Sequence, residues 1–307
     1  MSQQQLTNVD FEPLHIDHAE SEKIVGKSTS YWKDAWRRFR KNKLALTGIV
    51  VLLFLGFMAA FGADISGENF RDNDLMSTNQ APSSDHWFGT DNLGRDIFAR
   101  TWDGARISLF IGLTAAFLDL IIGIIWGAIS GYFGGKVDEY MMRIADILSS
   151  LPYLLVVILL MVVMGQGIWT MIIAMVITGW INMARIVRGQ VMQLRSEEYV
   201  LASKSLGAGN SRLLFKHLVP NTLGPILVTL TLTVPNAIFT EAFLSFLGLG
   251  VPMPDSSWGV MTSEALGSFQ YFPYQLFFPA FFICLTMLAF NVIGDGLRDA
   301  LDPKDRK

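Results

Sequence analysis

Asp119 is the one acidic side chain set well inside a long apolar run, 107–131. An ionised carboxylate at such a depth costs on the order of 3 kcal/mol on insertion scales, so it must face protein or a water-filled path. Two roles are open to it: a pathway carboxylate that meets the positive end of a solute, or a protonated or hydrogen-bonded contact between helices. Asn182, Asn236 and Glu241 are weaker pathway candidates, and Glu241 stands close enough to the end of its run to reach the interface. A second group, Glu197, Glu198, Tyr199, Ala202, Ser203 and Gly207, lies in a short polar segment between two apolar runs. Its chemistry is docking. The two carboxylates sit four and three positions before Leu201, on one helical face, and offer ionic contacts; Tyr199 is an amphipathic anchor; the small residues admit another backbone. A plain surface helix closed by a glycine cap is the competing reading.

Covalent chemistry has no comparable foothold. The chain shows no Ser-His-Asp layout and no paired-aspartate motif. Gly26-Lys27-Ser28 looks like the end of a phosphate-binding loop, but the position that requires the first glycine is Ser21 and no apolar strand precedes it. His15 and His18 have helical spacing without a thiolate or third ligand nearby, and His86 and His217 fall on opposite sides of the apolar spans, so no metal site is expected. Cys284, the single cysteine, can form no intrachain disulfide and reads as a small apolar core residue. No bound cofactor is expected on this chain.

The elements that position these residues follow from composition. Hydrophobic residues make up 51% of the 307 and charged residues only 17%, and the apolar residues gather in runs long enough to cross a bilayer. The expected fold is an all-α integral membrane protein with six transmembrane helices, near 44–64, 107–131, 144–165, 168–187, 222–247 and 275–295. Of the 24 Lys and Arg residues, all but Arg71, Arg95, Arg100 and Arg106 fall on one side of these spans. The positive-inside rule therefore puts both termini and the 197–221 segment in the cytoplasm. The net charge of −3 averages a basic inner face with an acidic outer loop, and nucleic-acid binding is not indicated. The cluster from Arg37 to Lys43 reads as a topology determinant and a contact for anionic membrane lipid. Residues 1–43 are polar, so the first span is expected to be an uncleaved anchor, with the first 30 residues loosely held.

Packing signals point the same way. Gly123, Gly127, Gly131 and Gly135 form a small-residue stripe for close helix approach. Pro152, Pro225 and Pro235 remove backbone bonds, so kinks or re-satisfaction by neighbours are expected there.

The segment Leu201-Ala202-Ser203 through Gly207 to Pro220 resembles the cytoplasmic signature of ABC importer permeases. That signature reads E-A-A, three residues, G, nine residues, I, one residue, L-P; Ala202, Gly207 and Pro220 match it, while Leu201, Ser203, His217 and Val219 depart. Glu198-Tyr199-Val200 is similar to the start of this helix in the peptide branch. The stretches His86-Trp87-Phe88-Gly89-Thr90-Asp91-Asn92-Leu93-Gly94-Arg95-Asp96 and Gly104-Ala105-Arg106-Ile107-Ser108-Leu109 resemble the outer loop of C-type subunits of the peptide, oligopeptide and nickel branch. Glu241–Gly250, Ser257-Trp258-Gly259 and 291–303 resemble their last outer loop and closing segment. Residues 30–305 are thus covered, in order.

The resemblance implies a type I importer permease fold with a cytoplasmic segment 1–43, a first transmembrane helix 44–64, an outer loop 65–106, a five-helix core 107–296 carrying a docking loop 188–221, and a tail 297–307. It implies a permease subunit that is not an enzyme, moving oligopeptides or dipeptides across the cytoplasmic membrane of a prokaryote. A second, B-type permease, two cytoplasmic ATPases that bind ATP and Mg, and an extracytoplasmic peptide-binding protein are the implied partners. The ATPases would dock on 197–209, and Asp119 would lie near the peptide ammonium. Nickel, glutathione or another small solute is the alternative cargo. An ion-coupled secondary transporter, with Asp119 as its ion site, is the competing class; it predicts further intramembrane carboxylates. The outer loop itself reads as a structural elbow, with Asp96 and Arg100 paired at helical spacing.

Overall fold

The computed structural model describes residues 31–65, 67 and 73–301. Gly26-Lys27-Ser28, His15, His18, Arg71, the leader 1–30 and the tail 302–307 lie outside the described residues.

Ten helices of eight residues or more organise the described chain. Helix α1 (Tyr31–Phe39) is a short amphipathic helix in which Asp34 pairs with Arg37 at 2.6 Å and Arg38 at 3.0 Å. The Asn42 side chain accepts from the Ala45 N–H and starts α2 (Lys43–Ile65), the first apolar span. Helix α3 (Ile97–Phe133) begins well before position 107. Asp96 caps it by accepting from the Ala99 N–H at 2.7 Å, and Arg100, Thr101 and Asp103 are buried in its first turns. Reading apolar runs misses such a start because charged residues such as Asp96 and Arg100 find partners inside the protein.

The third expected span is two helices, α4 (Gly135–Ser150) and α5 (Tyr153–Met164), bent by 81° at the break. Pro152 explains the bend: its ring forces Leu151 to extended backbone, φ −78° and ψ 136°. Helix α6 (Ile168–Leu194) runs two turns past its apolar run. Helix α7 (Glu198–Ser205) and a chain of tight and wide turns over 210–221 lead into α8 (Leu223–Leu244). Helix α8 is unbroken at both of its prolines: Pro225 falls in its first turn, where a missing N–H is harmless, and Pro235 is accommodated within it. Helix α9 (Trp258–Ala265), capped by Ser257, is followed by α10 (Pro273–Leu301), the last long helix of the described chain. Among the described residues, five helices are long and apolar enough to span a membrane, six if the bent pair counts as one span.

Helix α3 is the axis of the bundle and packs along α6. A Cβ at Gly123 would lie 2.6 Å from that of Met183, and one at Gly131 2.7 Å from the Arg188 carbonyl. Gly127 meets the same face of α6. Gly135 does not belong to this stripe: it opens α4 at φ +53° with nothing packed on it. Cys284 is exposed on α10 rather than in the core. α10 turns there with its neighbours Phe282 and Ile283 inward, so one position along the helix changed its fate. Phe39, Ala45 and Ala300 pack together, placing the start of α2 and the end of α10 at one end of the bundle.

Candidate functional site

Two polar regions lie away from the ordinary core, one at an end of the bundle and one halfway along it. At the end, α7 is held by its inner face. Val200 is buried with Val191, Leu213, Leu214 and Leu218. Asn221 donates from Nδ2 to the Tyr199 hydroxyl at 3.1 Å and to the His217 carbonyl at 2.7 Å, so Tyr199 ties α7 to the turn that feeds α8. Ser203 donates back to the Tyr199 carbonyl. Glu197 and Glu198 are exposed at the helix start, favourable for the dipole.

Gly207 has φ +85° and its N–H bonds the Lys204 carbonyl, so the glycine cap is present. Nothing of this chain lies within 4 Å of where its Cβ would stand; the backbone, not crowding inside the chain, requires glycine. The outward face of α7 carries Leu201, Ala202 and Leu206, the last 89% exposed, with Phe215 also exposed. Sequence reasoning treated Leu201 only as a departure from a glutamate and passed over Leu206. Two connections carry this end to α3: Tyr132 donates to Asn210 Oδ1 at 2.8 Å, and Arg195 donates to the Gly131 carbonyl at 3.2 Å. Arg188, bidentate on Asp138 at 2.5 Å, clamps α6 to α4.

Halfway along the bundle, α3, α5, α6 and α8 enclose a cavity of about 190 Å³. Asp119, Asn182 and Asn236, three of the four pathway candidates, line it. Asp119 is 6% exposed, and its Oδ1 has no hydrogen-bond partner. Gly179 makes room for the carboxylate, since a Cβ there would lie 2.7 Å from Oδ1. Tyr153, Thr233 and Thr240 complete the polar lining. The spacing Thr233, Asn236, Thr240 puts three polar groups on one face of α8, as Gly179 and Asn182 share a face of α6, and that periodicity is the signal from which this lining was legible.

Glu241 is elsewhere. It is fully buried, not at the interface, and accepts from Ser108 and Ser245 at 2.9 Å each. Ser108 accepts in turn from the Trp258 N–H. This cage joins α3, α8 and the start of α9, and Glu241 does not line the cavity.

The outer loop is clasped by a second ionic cluster. Asp91 accepts from Arg95 Nε at 2.7 Å and Arg100 Nη1 at 2.5 Å, while Glu264 of α9 accepts from both arginines at 3.0 and 2.9 Å. Arg100 therefore pairs with Asp91 and Glu264, not with Asp96, whose oxygens cap α3 and meet His86 Nδ1. A carboxylate four residues back on a helix was the expected partner, but Asp96 is committed to the helix end. Gly89 and Gly94, at φ +79° and +75°, turn the loop so that these groups meet. Nearby, the Ser77 hydroxyl and the Met76 N–H hold the Asp74 carboxyl below its ordinary range.

Residues 123–307 match the family described as binding-protein-dependent transport system inner membrane component, and residues 30–82 match the N-terminal TM domain of oligopeptide transport permease C. The chain is 64% identical over 297 residues to the oligopeptide transport system permease protein OppC of Bacillus subtilis (strain 168), covering 97% of each. It is 57% identical to the dipeptide transport system permease protein DppC of the same organism, over 94% of this chain and 90% of that one. OppC of Escherichia coli (strain K12) is 44% identical over 93% and 95%. Among solved structures, the inward-facing MetNI methionine ABC transporter superposes with a TM-score of 0.51 at 17% identity, over 65% of this chain and 94% of that one, a likeness of fold.

Proposed function

Because the chain belongs to the family of binding-protein-dependent transport system inner membrane components, we propose that it is the C-type permease subunit of an ATP-driven importer that carries oligopeptides or dipeptides across the cytoplasmic membrane. ATP hydrolysis belongs to partner ATPases, and this chain is a permease, not an enzyme. The reading takes its cargo from the relatives named OppC and DppC. Nickel, glutathione or another small solute would use the same framework.

The observation that carries the mechanism is the outward face of α7. Leu201, Ala202 and Leu206 form an exposed apolar face beside the open cap at Gly207, on a helix fastened from behind by Val200 and Tyr199. Such a surface suits a cytoplasmic ATPase, with Glu197 and Glu198 as ionic contacts at its edge. The basic segments place this end, and both termini, in the cytoplasm. Closure of two ATPases on ATP would move α7 as a rigid lever. The Tyr132–Asn210 and Arg195–Gly131 links would pass that motion to α3, and so to Asp119.

Asn182 and Asn236 are exposed halfway along the apolar bundle. Facing lipid they would lack partners; facing a second, B-type permease they line a polar path together with Asp119. An extracytoplasmic peptide-binding protein would load that path from the side of the Asp91–Arg100 clasp, and anionic lipid would contact α1 through Arg37, Arg38 and Lys41.

The test is reconstitution with the neighbouring permease, the ATPases and the binding protein in liposomes. ATP-dependent peptide uptake is expected, and Leu206→Glu, a fully exposed change, should reduce ATPase recovery with the membrane subunits by about tenfold or more, the scale of one lost interface anchor. Unchanged recovery removes α7 as the docking element. Solute movement by this chain without ATPases would replace the importer reading with ion-coupled transport.

A further inference from the structure

The Asp119 cavity holds an acid with no charged group of the described chain beside it. No Lys, Arg or His lines it, Oδ1 is unpartnered, and the side chain is 6% exposed. Packing does not account for this arrangement, because an acid without a counter-charge at this depth destabilises the bundle. Gly179 lets the carboxylate stand there, and the donors and acceptors of Asn182, Asn236 and Thr240 share the space.

The cavity of about 190 Å³ is open on the side of Asn182 and Asn236, so one end of a peptide can enter while the rest of its chain stays outside. The carboxylate end of a peptide would be repelled by Asp119. The amino end brings the missing positive charge and three N–H donors, which match one carboxylate and neighbouring neutral oxygens. A divalent metal would ask for more charged oxygen ligands than the single carboxylate supplies.

We propose that this cavity is the subsite for the free N-terminal ammonium of the transported peptide, with Asp119 as its counter-charge and Asn182 and Asn236 as the neutral acceptors beside it. The assignment rests on the peptide-importer reading and deepens it. It makes the permease itself selective for an unblocked amino end, independently of any choice made by the binding protein.

The experiment measures direct binding of radiolabelled trialanine, N-acetyl-trialanine and N-acetyl-Ala-Lys-Ala to the purified permease–ATPase complex without binding protein. Wild type should bind trialanine about tenfold or more tighter than the acetylated form, the scale of one charge-assisted hydrogen bond, and the internal lysine should not restore the loss. Asp119→Asn, which keeps the side-chain shape, should bring free and acetylated peptide to within about twofold. Asp119→Glu should keep a preference for the free one. Equal binding of both peptides by wild type, an undiminished preference in Asp119→Asn, or recovery by the lysine peptide overturns the assignment. ATP-driven trialanine uptake by the complete wild-type system is measured alongside. If uptake is present and amino-end selectivity absent, the subsite alone is wrong; if no peptide is taken up, the importer reading fails with it.

Discussion

Asp119 and Gly179 form a matched pair, an acid on one helix and the missing side chain on the next that makes space for it. In Gly179→Ala the new methyl would stand 2.7 Å from Oδ1, and the carboxylate would have to turn out of its place. Overpacking of this kind costs about 1–3 kcal/mol. The expected outcome is a complex that assembles with a lowered melting midpoint and takes up peptide poorly, measured as uptake per assembled complex. Ser108 presents the opposite case. Its hydroxyl donates to Glu241 and accepts from the Trp258 N–H, so Ser108→Ala strands two buried groups and should cost about 1–3 kcal/mol. That loss should appear as a lower melting midpoint while binding selectivity between free and acetylated peptide is unchanged, since the serine cage and the cavity are separate. Asp119 was recognisable from sequence because charge in an apolar run is costly wherever it lies. Glu241 drew attention for the same reason, yet only Ser245, four residues on, is a partner that helical spacing supplies, and no spacing rule reaches Ser108.

The same limit governs the elements. Pro152 marked a break, and the chain breaks there, but the 81° between α4 and α5 is a property of the folded pair. Pro225 and Pro235 carry the same chemistry without ending α8, because one lies in the first turn and the other is absorbed by the surrounding helices. In α7 the glycine at 207 was legible as a cap, and its positive φ makes that reading physical. Replacement by alanine should cost about 1–2 kcal/mol from the left-handed backbone alone. Gly207→Trp carries the same backbone penalty, and no described residue lies within 4 Å of its Cβ. Any loss of ATPase recovery in Gly207→Trp beyond that in Gly207→Ala therefore measures contact with a docked partner, and equal recovery in the two variants would argue that nothing packs there. Val200→Asp should fail differently, by burying an unpaired charge behind α7 and lowering the amount of folded subunit.

At the scale of the whole molecule, the bundle is closed at its two ends by unlike devices. One end has the apolar contact of Phe39, Ala45 and Ala300; the other has the Asp91–Arg95–Arg100–Glu264 cluster. Arg100 is nearly fully buried, and Arg100→Ala would leave Asp91 and Glu264 with Arg95 as the one cation they share. A loss of about 3–5 kcal/mol is expected for one partner removed from a buried ion cluster, seen as low yield or a strongly reduced melting midpoint. Orientation is tested separately. In a Cys284→Ser background, a cysteine at Ser84 should react with an impermeant maleimide in intact cells, and one at Ser205 only after the membrane is opened; the reverse pattern would invert the proposed topology.

Class, span number and the distribution of charge about the membrane were determined by the sequence itself, because hydrophobic length and the cost of moving Lys and Arg across a bilayer are properties of each segment alone. The stripe Gly123–Gly127–Gly131 was likewise legible, since one helix's periodicity shows a face even when the partner is unknown. Which face met α6, why Gly135 dropped out of it, and why Cys284 points outward were decided by packing between helices. The cavity was decided there too: Asp119, Gly179 and Asn236 belong to three helices, and only their tertiary approach leaves the carboxylate buried, unpartnered and open to a ligand.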